Sequence, residues 1–310
     1  MKKDLLSLHH LSREDIELIL ERSAGLKKKH KAGIPYQPLL GKCLGMIFEK
    51  SSTRTRVSFE VGILQLGGHA LFLSSKDLQL GRGESIADTA KVLSRYIDGI
   101  VIRTYKQSDV EELAKVADIP VINGLTDLLH PCQTLADLFT IRERIGSLEG
   151  FKAAYIGDGN NMANSWLHGA AKLGIHLSVA SPPGYGPDAT VARESIEEAR
   201  HTGARILITQ DPVEAVTGAR IISTDVWTSM GQEKEHDQRL KAFRKYQVND
   251  ALTRHADPGY LFMHCLPAHR GEEVTGEIID GPHSVVLDEA ENRLHTQKAV
   301  LELLMGEMRK

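Results

Sequence analysis

The sequence predicts an α/β fold of two doubly wound parallel-sheet domains with a cleft between them, and a C-terminal helix that returns to the first domain. Three observations support this prediction. Short apolar runs alternate with amphipathic runs along the chain, which is the pattern of parallel strands connected by helices. A length of 310 residues suits two domains of roughly 150 residues each. The alternation of strand-like and helix-like runs also begins again after "GSLEG", residues 146–150, which marks the predicted domain boundary.

The first domain is predicted to span residues 1–146 and to include the C-terminal helix, residues 294–310. Its first helix is "LSREDIELILERSAGLKKK", in which Ser12 is the expected N-cap and apolar residues recur at helical spacing. The predicted strands are "CLGMIF", "HALFLS", "GIVIR" and "PVING". The remaining predicted helices are "STRTRVSFEVGILQL", which Gly67 and Gly68 close, "SIADTAKVLSRYI", "DVEELAKVA" and "TLADLFTIRERIG".

The second domain is predicted to span residues 147–293. Its predicted strands are "KAAYIG", "HLSVAS", "RILIT", "RIIST", "YLFMH" and "SVVLD". The predicted helices between them are "NSWLHGAAKLG", "TVARESIEEARHTG" and "PVEAVTGA". The terminal segment "HTQKAVLELLMGEM" is amphipathic, and we expect it to pack on the first domain.

The composition is that of a globular protein without a polyanionic or membrane partner. Hydrophobic residues make up 41% and charged residues 25% of the chain, and the formal net charge is −3. Non-specific nucleic-acid binding normally requires a basic excess, and no run approaches the ~18 apolar residues of a membrane span. Charges interrupt the first twenty residues, so no secretory signal is expected. The three cysteines form no CxxC pair, which favours a cytoplasmic location.

The chemically unusual segments follow the predicted strands directly. "EKSSTRTR" follows "CLGMIF", Arg103 ends "GIVIR", and "GDGNN" follows "KAAYI". In the same way "DVWTSMGQ" follows "RIIST", and "HCLPAHRGEE" follows "YLFM". Open α/β sheets bind ligands beyond the carboxyl ends of their strands. These segments are therefore expected to contribute to one functional region.

The segment "SSTRTR", residues 51–56, has the composition of an anion site. A helix that begins near Thr53 presents unpaired N–H groups and the positive end of its dipole. Hydroxyl groups and the forked guanidinium of Arg54 complete a site suited to phosphate. The glycines and lysine of a Walker loop are absent. The alternative is an ordinary capped helix with solvated arginines.

Two further segments carry histidine and cysteine. In "HPCQ", His130 and Gln133 flank a helix start, and both can donate hydrogen bonds to a carbonyl group. In "HCLPAHRGEE", Cys265 could be a thiol nucleophile, a metal ligand or a polar positioning residue. A metal is not expected, because His130, Cys132, His264 and Cys265 lack zinc-type spacing.

Two segments of the second domain suit an amino acid. "YIGDGNN" is similar to a dinucleotide fingerprint, but Met162 takes the third glycine position and the next strand lacks a terminal acidic residue. A nicotinamide-dependent dehydrogenase is thus the alternative from another class. Asn160 and Asn161 offer neutral donors and acceptors, and Asp225 could pair with an ammonium group. The charged segment after Asp225 suits a mobile lid or an ordinary exposed loop.

Taken together, six segments resemble the aspartate/ornithine carbamoyltransferase family, and within it the ornithine enzymes. They are "SSTRTRVSFE", "DLQLGRGES", "HPCQ", "GDGNN", "DVWTSMGQE" and "HCLPAHRGEEV", and they occur in this order from the first helix to the last. The resemblance implies a first domain that binds carbamoyl phosphate and a second that binds the amino acid. It also implies a homotrimer, or an assembly of trimers, with active sites at subunit boundaries.

The resemblance assigns roles by motif. The phosphate-binding residues would be Ser52, Thr53, Arg54 and Thr55. Arg103 would contact phosphate and carbonyl oxygens, and His130 with Gln133 would hold the carbamoyl group. Gln79 would reach into a neighbouring subunit's site, and Arg293 would add a positive contact. Cys265 and Leu266 would line the carbamoyl and side-chain pocket. The ornithine-binding residues would be Asn161, Asp225, Ser229 and Met230.

The implied reaction is attack by the side-chain amine of ornithine on the carbonyl carbon of carbamoyl phosphate, giving citrulline and phosphate. Arg54, Arg103, Thr55 and His130 would stabilise the developing negative charge, and the two domains would bring the reactants together. No metal or organic cofactor is expected, and Cys265 is expected to position substrate. The alternatives are a carbamoyltransferase for putrescine or aspartate and a non-catalytic homologue. Asp225 argues against putrescine, which has no α-ammonium group.

Overall fold

The computed structural model describes residues 3–74, 83–229 and 231–306. The chain divides into two compact units. Unit 1 comprises Met1–Phe139 with Glu291–Lys310, and unit 2 comprises Thr140–Ala290. The domain boundaries inferred from the sequence, after residues 146 and 293, stay a prediction.

Unit 1 is built on a four-stranded parallel sheet. Its strands are β1 (Cys43–Phe48), β2 (His69–Ser74), β3 (Gly99–Arg103) and β4 (Val121–Leu125), in the order β2-β1-β3-β4. The chain runs from β1 to the edge strand β2 and then crosses to the other side of β1. The strand order therefore reverses between β1 and β3, where Phe48 and Arg103 are register partners. This reversal is the place where such sheets bind ligands.

Five helices accompany this sheet in chain order. They are α1 (Arg13–Lys31), α2 (Thr53–Gln65), α3 (Ile86–Leu93), α4 (Gln107–Val116) and α5 (Pro131–Ile145). The predicted N-cap of α1 is confirmed, since Ser12 Oγ accepts a hydrogen bond from the amide of Asp15 at 3.1 Å. The Asp15 carboxylate accepts in return from the amide of Ser12 at 3.2 Å, which completes a capping box.

Unit 2 is built on a five-stranded parallel sheet. Its strands are β5 (Lys152–Ile156), β6 (His176–Ala180), β7 (Ile206–Thr209), β8 (Ile221–Thr224) and β9 (Leu261–His264), in the order β7-β6-β5-β8-β9. The strand order reverses between β5 and β8, again at the strands that precede the unusual segments. The helices are α6 (Asn161–Leu173), α7 (Ala189–Thr202), α8 (Pro212–Val216), α9 (His236–Phe243), α10 (Asp250–Thr253) and α11 (Gly276–Ile279).

The last helix, α12 (Val286–Met305), corrects one prediction and confirms another. The predicted strand "SVVLD" is wrong, because only Ser284 makes an isolated bridge to Phe262 and the helix begins at Val286. A short apolar run at a helix start has the same local pattern as a buried strand. From Glu291 onward α12 belongs to unit 1, where Lys27 Nζ donates to Asn292 Oδ1 at 2.7 Å. The return of the C-terminal helix to the first domain is thus confirmed.

Each unit has its own apolar core. In unit 1, strand residues such as Ile47 and Ile100 pack with Leu113 of α4. In unit 2, Phe262 of β9 packs with Trp227 and Phe243, whose rings stack at 5.7 Å between centroids. Across the described ranges, no helix has the length and apolar character needed to cross a membrane.

Gly159 offers a test of the packing at the start of α6. An added Cβ would lie 2.1 Å from the carbonyl carbon of Gly186 and 2.2 Å from the nitrogen of Pro187. Because both atoms belong to the backbone, we expect Gly159→Ala to destabilise the protein by about 1–3 kcal/mol. The matched control is Gly25→Ala in α1, where nothing lies within 4 Å and alanine should stabilise the helix by about 0.5–1 kcal/mol. Thermal unfolding followed by calorimetry checks both, and an unchanged midpoint for Gly159→Ala would contradict the packing described here.

Candidate functional site

The segment expected to bind an anion lies at the N-terminus of α2 in unit 1. Ser52 is extended (φ −162°) and caps the helix, because its Oγ accepts a hydrogen bond from the amide of Thr55 at 3.1 Å. Thr53 and Arg54 occupy the first two helical positions. The positive end of the helix dipole therefore lies at the carboxyl end of β1, beside the reversal of strand order.

Thr55 is the point at which two buried arginines meet this helix. Arg103 ends β3, and its Nη1 donates to Thr55 Oγ1 at 3.4 Å. Arg293 of α12 donates from Nη2 to the same oxygen at 3.0 Å. Both arginines and Thr55 are less than a tenth exposed. Three segments far apart in sequence thus place two guanidinium groups beside the start of α2.

His130 lies among these positive charges at the start of α5. Burial lowers the pKa of His130 well below 6.5, and Arg293, Arg103 and Arg54 lower it further. The imidazole is therefore neutral near pH 7 and has one N–H to donate. Since a neutral donor beside cationic groups suits a carbonyl oxygen, this arrangement fits the predicted contact of His130 with a carbamoyl group.

Gln133 connects the same groups to α5. Its Oε1 accepts a hydrogen bond from Arg293 Nη1, and its Nε2 donates to Asp137 Oδ1 at 2.9 Å. Asp137 is also buried, so Gln133 links the guanidinium of Arg293 to a buried carboxyl group. The amide of Gln133 therefore holds Arg293 in place through its oxygen.

A layer of polar contacts connects the loops that follow β1, β3 and β4. Glu49 accepts from the hydroxyl of Thr104, and its amide donates to the carbonyl of Arg103 at 2.9 Å. Lys50 is buried, pairs with Asp127 and lies 4.4 Å from the centre of the Tyr105 ring. These contacts hold the chain at Arg103 and at the two residues that follow it.

In unit 2, Asp225 connects the loops that follow β5, β8 and β9. Its Oδ2 accepts from Asn160 Nδ2 at 2.8 Å, and its Oδ1 accepts from the amide of Val226 at 2.8 Å and from the thiol of Cys265 at 3.2 Å. Asn160 also caps α6, since its Oδ1 accepts from the amide of Met162 at 2.9 Å. The carboxyl ends of β5, β8 and β9 thus meet at one carboxylate.

Arg239 of α9 provides a second connection between these loops. It lies 3.1 Å from Asp158 Oδ2 and donates from Nη1 to the carbonyl of Trp227 at 2.8 Å. Burial raises the pKa of Asp158 to about 6, against the opposing effect of Arg239. Arg239 is only 5% exposed, so the segment predicted to be a charged loop contains a helix with a buried arginine.

The segment after β9 has unusual backbone geometry. Leu266 has a positive φ of 55°, and the Leu266–Pro267 peptide bond is cis.

Asp225, His264 and Cys265 place metal-ligand atoms within 4.8 Å of one another. However, His264 Nδ1 accepts from the amide of Leu266 at 2.9 Å, and its Nε2 lies 3.1 Å from Glu273 Oε1. Both imidazole nitrogens are therefore already in use, which disfavours a metal beside Cys265.

The residues singled out from the sequence divide between the two units. Those in unit 1 are Ser52, Thr53, Arg54, Thr55, Arg103, His130, Gln133 and Arg293, and those in unit 2 are Asn161, Asp225, Ser229, Cys265 and Leu266. Gln79 and Met230 lie outside the described residues. Ser229 lies in the loop after β8, where its amide donates to Gln232 Oε1 at 3.1 Å.

Sequence reasoning missed two buried charged residues, Lys50 and Arg239, and the capping role of Asn160. Lys50 stands inside the motif "EKSSTRTR", and its position next to the anion segment was the available signal. Asn160 precedes a helix, where asparagine is a preferred N-cap, so its structural role had a signal too. The contact of Arg239 with Asp158 spans 81 positions, and no local pattern indicates it.

The geometry of "GDGNN" differs from that of a dinucleotide site. Gly159 packs against the backbone of Gly186 and Pro187, whereas a dinucleotide fingerprint keeps this side open for the pyrophosphate. Asn160 Oδ1 also accepts hydrogen bonds from the amides of Met162 and Ala163 in the first turn of α6. The dehydrogenase alternative therefore loses its structural support.

Two family models match the chain in sequence. The aspartate/ornithine carbamoyltransferase carbamoyl-P binding domain matches residues 3–143, and the Asp/Orn binding domain of the same family matches residues 149–304. Together they account for nearly all of the chain.

Individual relatives agree with these matches. An ornithine carbamoyltransferase of Carboxydothermus hydrogenoformans is 59% identical over 304 residues, which is 98% of each chain. One of Bacillus subtilis is 60% identical over 304 residues, or 98% of this chain and 94% of the relative. The solved structure of ornithine carbamoyltransferase from Pyrococcus furiosus is 56% identical, covers 99% of this chain and 98% of its own, and has a TM-score of 0.96. The chain therefore belongs to the aspartate/ornithine carbamoyltransferase family.

Proposed function

We propose that this protein transfers the carbamoyl group of carbamoyl phosphate to the side-chain amine of L-ornithine, giving L-citrulline and phosphate. The observation that carries this proposal is the likeness, over nearly the whole chain, to proteins named ornithine carbamoyltransferase at 55–62% identity. The two units also contain the groups that each substrate needs. Unit 1 gathers cationic donors for a phosphate, and unit 2 presents a carboxylate for an ammonium group.

The phosphate end of carbamoyl phosphate binds at the start of α2. The capped N-terminus with Ser52, Thr53 and Thr55 supplies amide and hydroxyl donors, and Arg54 supplies a forked guanidinium. Arg103 and Arg293 add two further charges, since both already point at Thr55 Oγ1. A dianion placed here relieves the mutual repulsion of the arginines.

The carbamoyl end is held by neutral and cationic donors. His130 donates its one N–H to the carbonyl oxygen, while Arg103 contacts both the carbonyl and phosphate oxygens. Gln133 contributes to this grip, and the hydrogen bond from Arg293 orients its amide. Negative charge that develops on the carbonyl oxygen during attack is therefore met by donors already in position.

The amino acid binds to unit 2. Asp225 pairs with the α-ammonium group, and its carboxylate is held for this purpose by Asn160 and by the amide of Val226. Asn161, Ser229 and Met230 complete the ornithine contacts. Cys265 and Leu266 line the carbamoyl and side-chain pocket, and the thiol of Cys265 already donates to Asp225.

The reaction exchanges one bond at the carbonyl carbon for another. The unprotonated side-chain amine forms a C–N bond to this carbon, the C–O bond to phosphate breaks, and the departing phosphate takes up the proton that the amine nitrogen loses. Phosphate departs readily once its charge is neutralised by Arg54, Arg103 and Arg293. The protein's contributions are charge stabilisation and the alignment of the two reactants.

The assembly we propose is a homotrimer, or an assembly of trimers, in the cytoplasm. The edge strand β2 supports an association of subunits, because Leu71 and Phe72 are 47% and 39% exposed on it. Exposed apolar side chains on an edge strand usually mark an interface. Gln79, which follows β2 in sequence, would then reach a neighbouring subunit's site.

The test of the proposed function is a colorimetric citrulline assay with its acceptor varied. Carbamoyl phosphate is offered with ornithine, putrescine or aspartate in separate reactions, and each ureido product is measured. We expect turnover with ornithine alone. Faster turnover with putrescine or aspartate would assign the chain to another carbamoyltransferase activity, and no turnover with any of them would refute the proposal.

Arg54 is the first residue to test. We expect Arg54→Ala to lower turnover by about 10²–10³-fold, as is typical for the loss of one preorganised transition-state donor. The matched control is Arg56→Ala in the same helix, because Arg56 pairs with Glu60 at 3.4 Å and lies over the Phe72 ring. Steady-state citrulline formation by both variants is the measurement. Near-normal activity of Arg54→Ala would remove the argument for an anion site at α2.

Replacing Cys265 distinguishes a positioning role of its thiol from covalent catalysis. A serine at this position keeps a donor for Asp225, so we expect Cys265→Ser to retain measurable turnover with a weaker apparent affinity for ornithine. An essential thiolate would instead leave no activity. The second measurement is mass spectrometry of wild-type protein quenched during turnover, in which a carbamoyl thioester on Cys265 would show the positioning role to be wrong.

The charge state of His130 is also open to measurement. Burial and three arginines lower the pKa of His130 well below its usual value, so its ring should stay neutral through the range just below about pH 6.5 in which free histidine becomes protonated. Nitrogen NMR of protein labelled at histidine checks this, with His130→Gln used to assign the signal. Imidazolium-type nitrogen shifts for His130 within that pH range would contradict its role as a neutral donor.

A further inference from the structure

The loop between β9 and α11 contains a cluster of imidazole and carboxylate groups outside the proposed carbamoyl-transfer site. Its members are His269, Glu272 and Glu273. The backbone folds back on itself here, since the amide of Glu272 donates to the carbonyl of His269 at 3.0 Å. The amide of His269 in turn donates to Glu273 Oε1 at 2.6 Å. The backbone of the loop thus brings the three residues together.

The ligand-type atoms of this cluster lie close enough to share one ion. One atom from each of the three side chains lies within 4.8 Å of the others, and His269 Nδ1 is 3.6 Å from Glu272 Oε2. Tetrahedral zinc with bonds of about 2.1 Å separates neighbouring ligand atoms by about 3.4 Å. The imidazole and the first carboxylate therefore already have the spacing of two ligands on one metal.

Two buried carboxylate oxygens in the cluster point to a cation. The side chain of Glu273 is 0% exposed. Its Oε1 accepts a hydrogen bond from the backbone amide of His269 and contacts Nε2 of His264. In the part of the chain that the structure describes, Glu273 Oε2 and Glu272 Oε2 are buried without a hydrogen-bond donor. A buried anionic oxygen needs a donor or a positive ion. Two such oxygens beside one imidazole match a metal better than a single ion pair.

The composition of the cluster selects the class of ion. One imidazole and two carboxylates suit zinc, manganese, iron or cobalt, whereas calcium and magnesium prefer oxygen ligands alone. His269 is 48% exposed, which leaves a path from solvent. His264 supports Glu273 from the buried side, as groups around metal ligands commonly do.

A fourth group approaches from α9. His236 Nε2 lies 3.8 Å from Glu272 Oε1, and its Nδ1 lies 3.3 Å from the hydroxyl of Thr228. Thr228 directly precedes Ser229, one of the proposed ornithine contacts. A metal bound by Glu272 and His236 would therefore connect the loop after β8 to the loop after β9.

We propose that His269, Glu272 and Glu273, with His236 as the nearest additional ligand, bind one divalent transition-metal ion. The site is separate from the proposed transfer chemistry, and it does not depend on which amine accepts the carbamoyl group. It also differs from the sequence-based expectation that the chain has no metal site, because that expectation considered only the histidines and cysteines of "HPCQ" and "HCLP".

Cobalt(II) is the probe for this site, since its visible absorption reports nitrogen and oxygen ligands and its near-ultraviolet charge-transfer band reports a thiolate. The full-length protein is stripped with a chelator and titrated with cobalt(II), and bound metal is quantified by equilibrium dialysis. We expect one ion per chain without a thiolate band. Glu272→Gln and His269→Gln should each weaken binding by at least about tenfold. Both residues are partly exposed, and a thermal melt confirms that the variants fold.

Two control variants locate the ion. Glu194→Gln removes another imidazole–carboxylate pair of unit 2, in which His168 Nε2 lies 3.6 Å from Glu194. Cys265→Ser removes the thiol beside Asp225. Both controls should bind cobalt as the wild type does. The proposal is overturned if the wild type binds no cobalt, if Glu272→Gln and His269→Gln bind it unchanged, or if a thiolate band appears that Cys265→Ser abolishes. Citrulline formation is measured separately, so a negative metal result leaves the transfer function untouched.

Discussion

The concentration of positive charge around His130 is the constraint on which the first unit depends. Arg54, Arg103 and Arg293 all act on this imidazole, and like charges held this closely repel one another. Two of these arginines, Arg103 and Arg293, are held in place by hydrogen bonds to the hydroxyl oxygen of Thr55. In the proposed function a phosphate dianion would balance these charges, so one cluster would serve both substrate binding and charge stabilisation.

The second unit has the same type of parallel sheet, but the group at its centre is a carboxylate rather than a cluster of guanidinium groups. Asp225 is a buried carboxylate supported by an amide side chain, a backbone amide and a thiol. Arg239 joins the loops after β5 and β8 through Asp158 and the carbonyl of Trp227. In both units the reversal of strand order creates the crevice, and the residues that follow the central strands decide the charge within it. The fold supplies the place, and these loops supply the chemistry.

The sequence predicted the strands of both sheets and the longer helices, but not the long-range polar contacts, and the roles it assigns to site residues stay a prediction. All nine strands of the two sheets were predicted, because buried parallel strands are short apolar runs with clear ends. "SVVLD" failed because a helix start can be equally apolar, and α9 to α11 were missed because their patterns are short. Candidate residues were found through motifs at strand ends. Arg239 and Lys50 were not, since a buried charge is recognised only when its distant partner is known.

The first unit is discontinuous in sequence, and this has a consequence for the order in which the protein is made. Arg293 and Gln133 are hydrogen-bonded partners 160 positions apart, with the whole of the second unit between them. Domains generally fold as they leave the ribosome, so the inserted unit can be complete while the unit that begins the chain still lacks its final helix. A nascent polypeptide that ends before Arg293 has two of the three guanidiniums. The proposed phosphate site is therefore completed only late in translation.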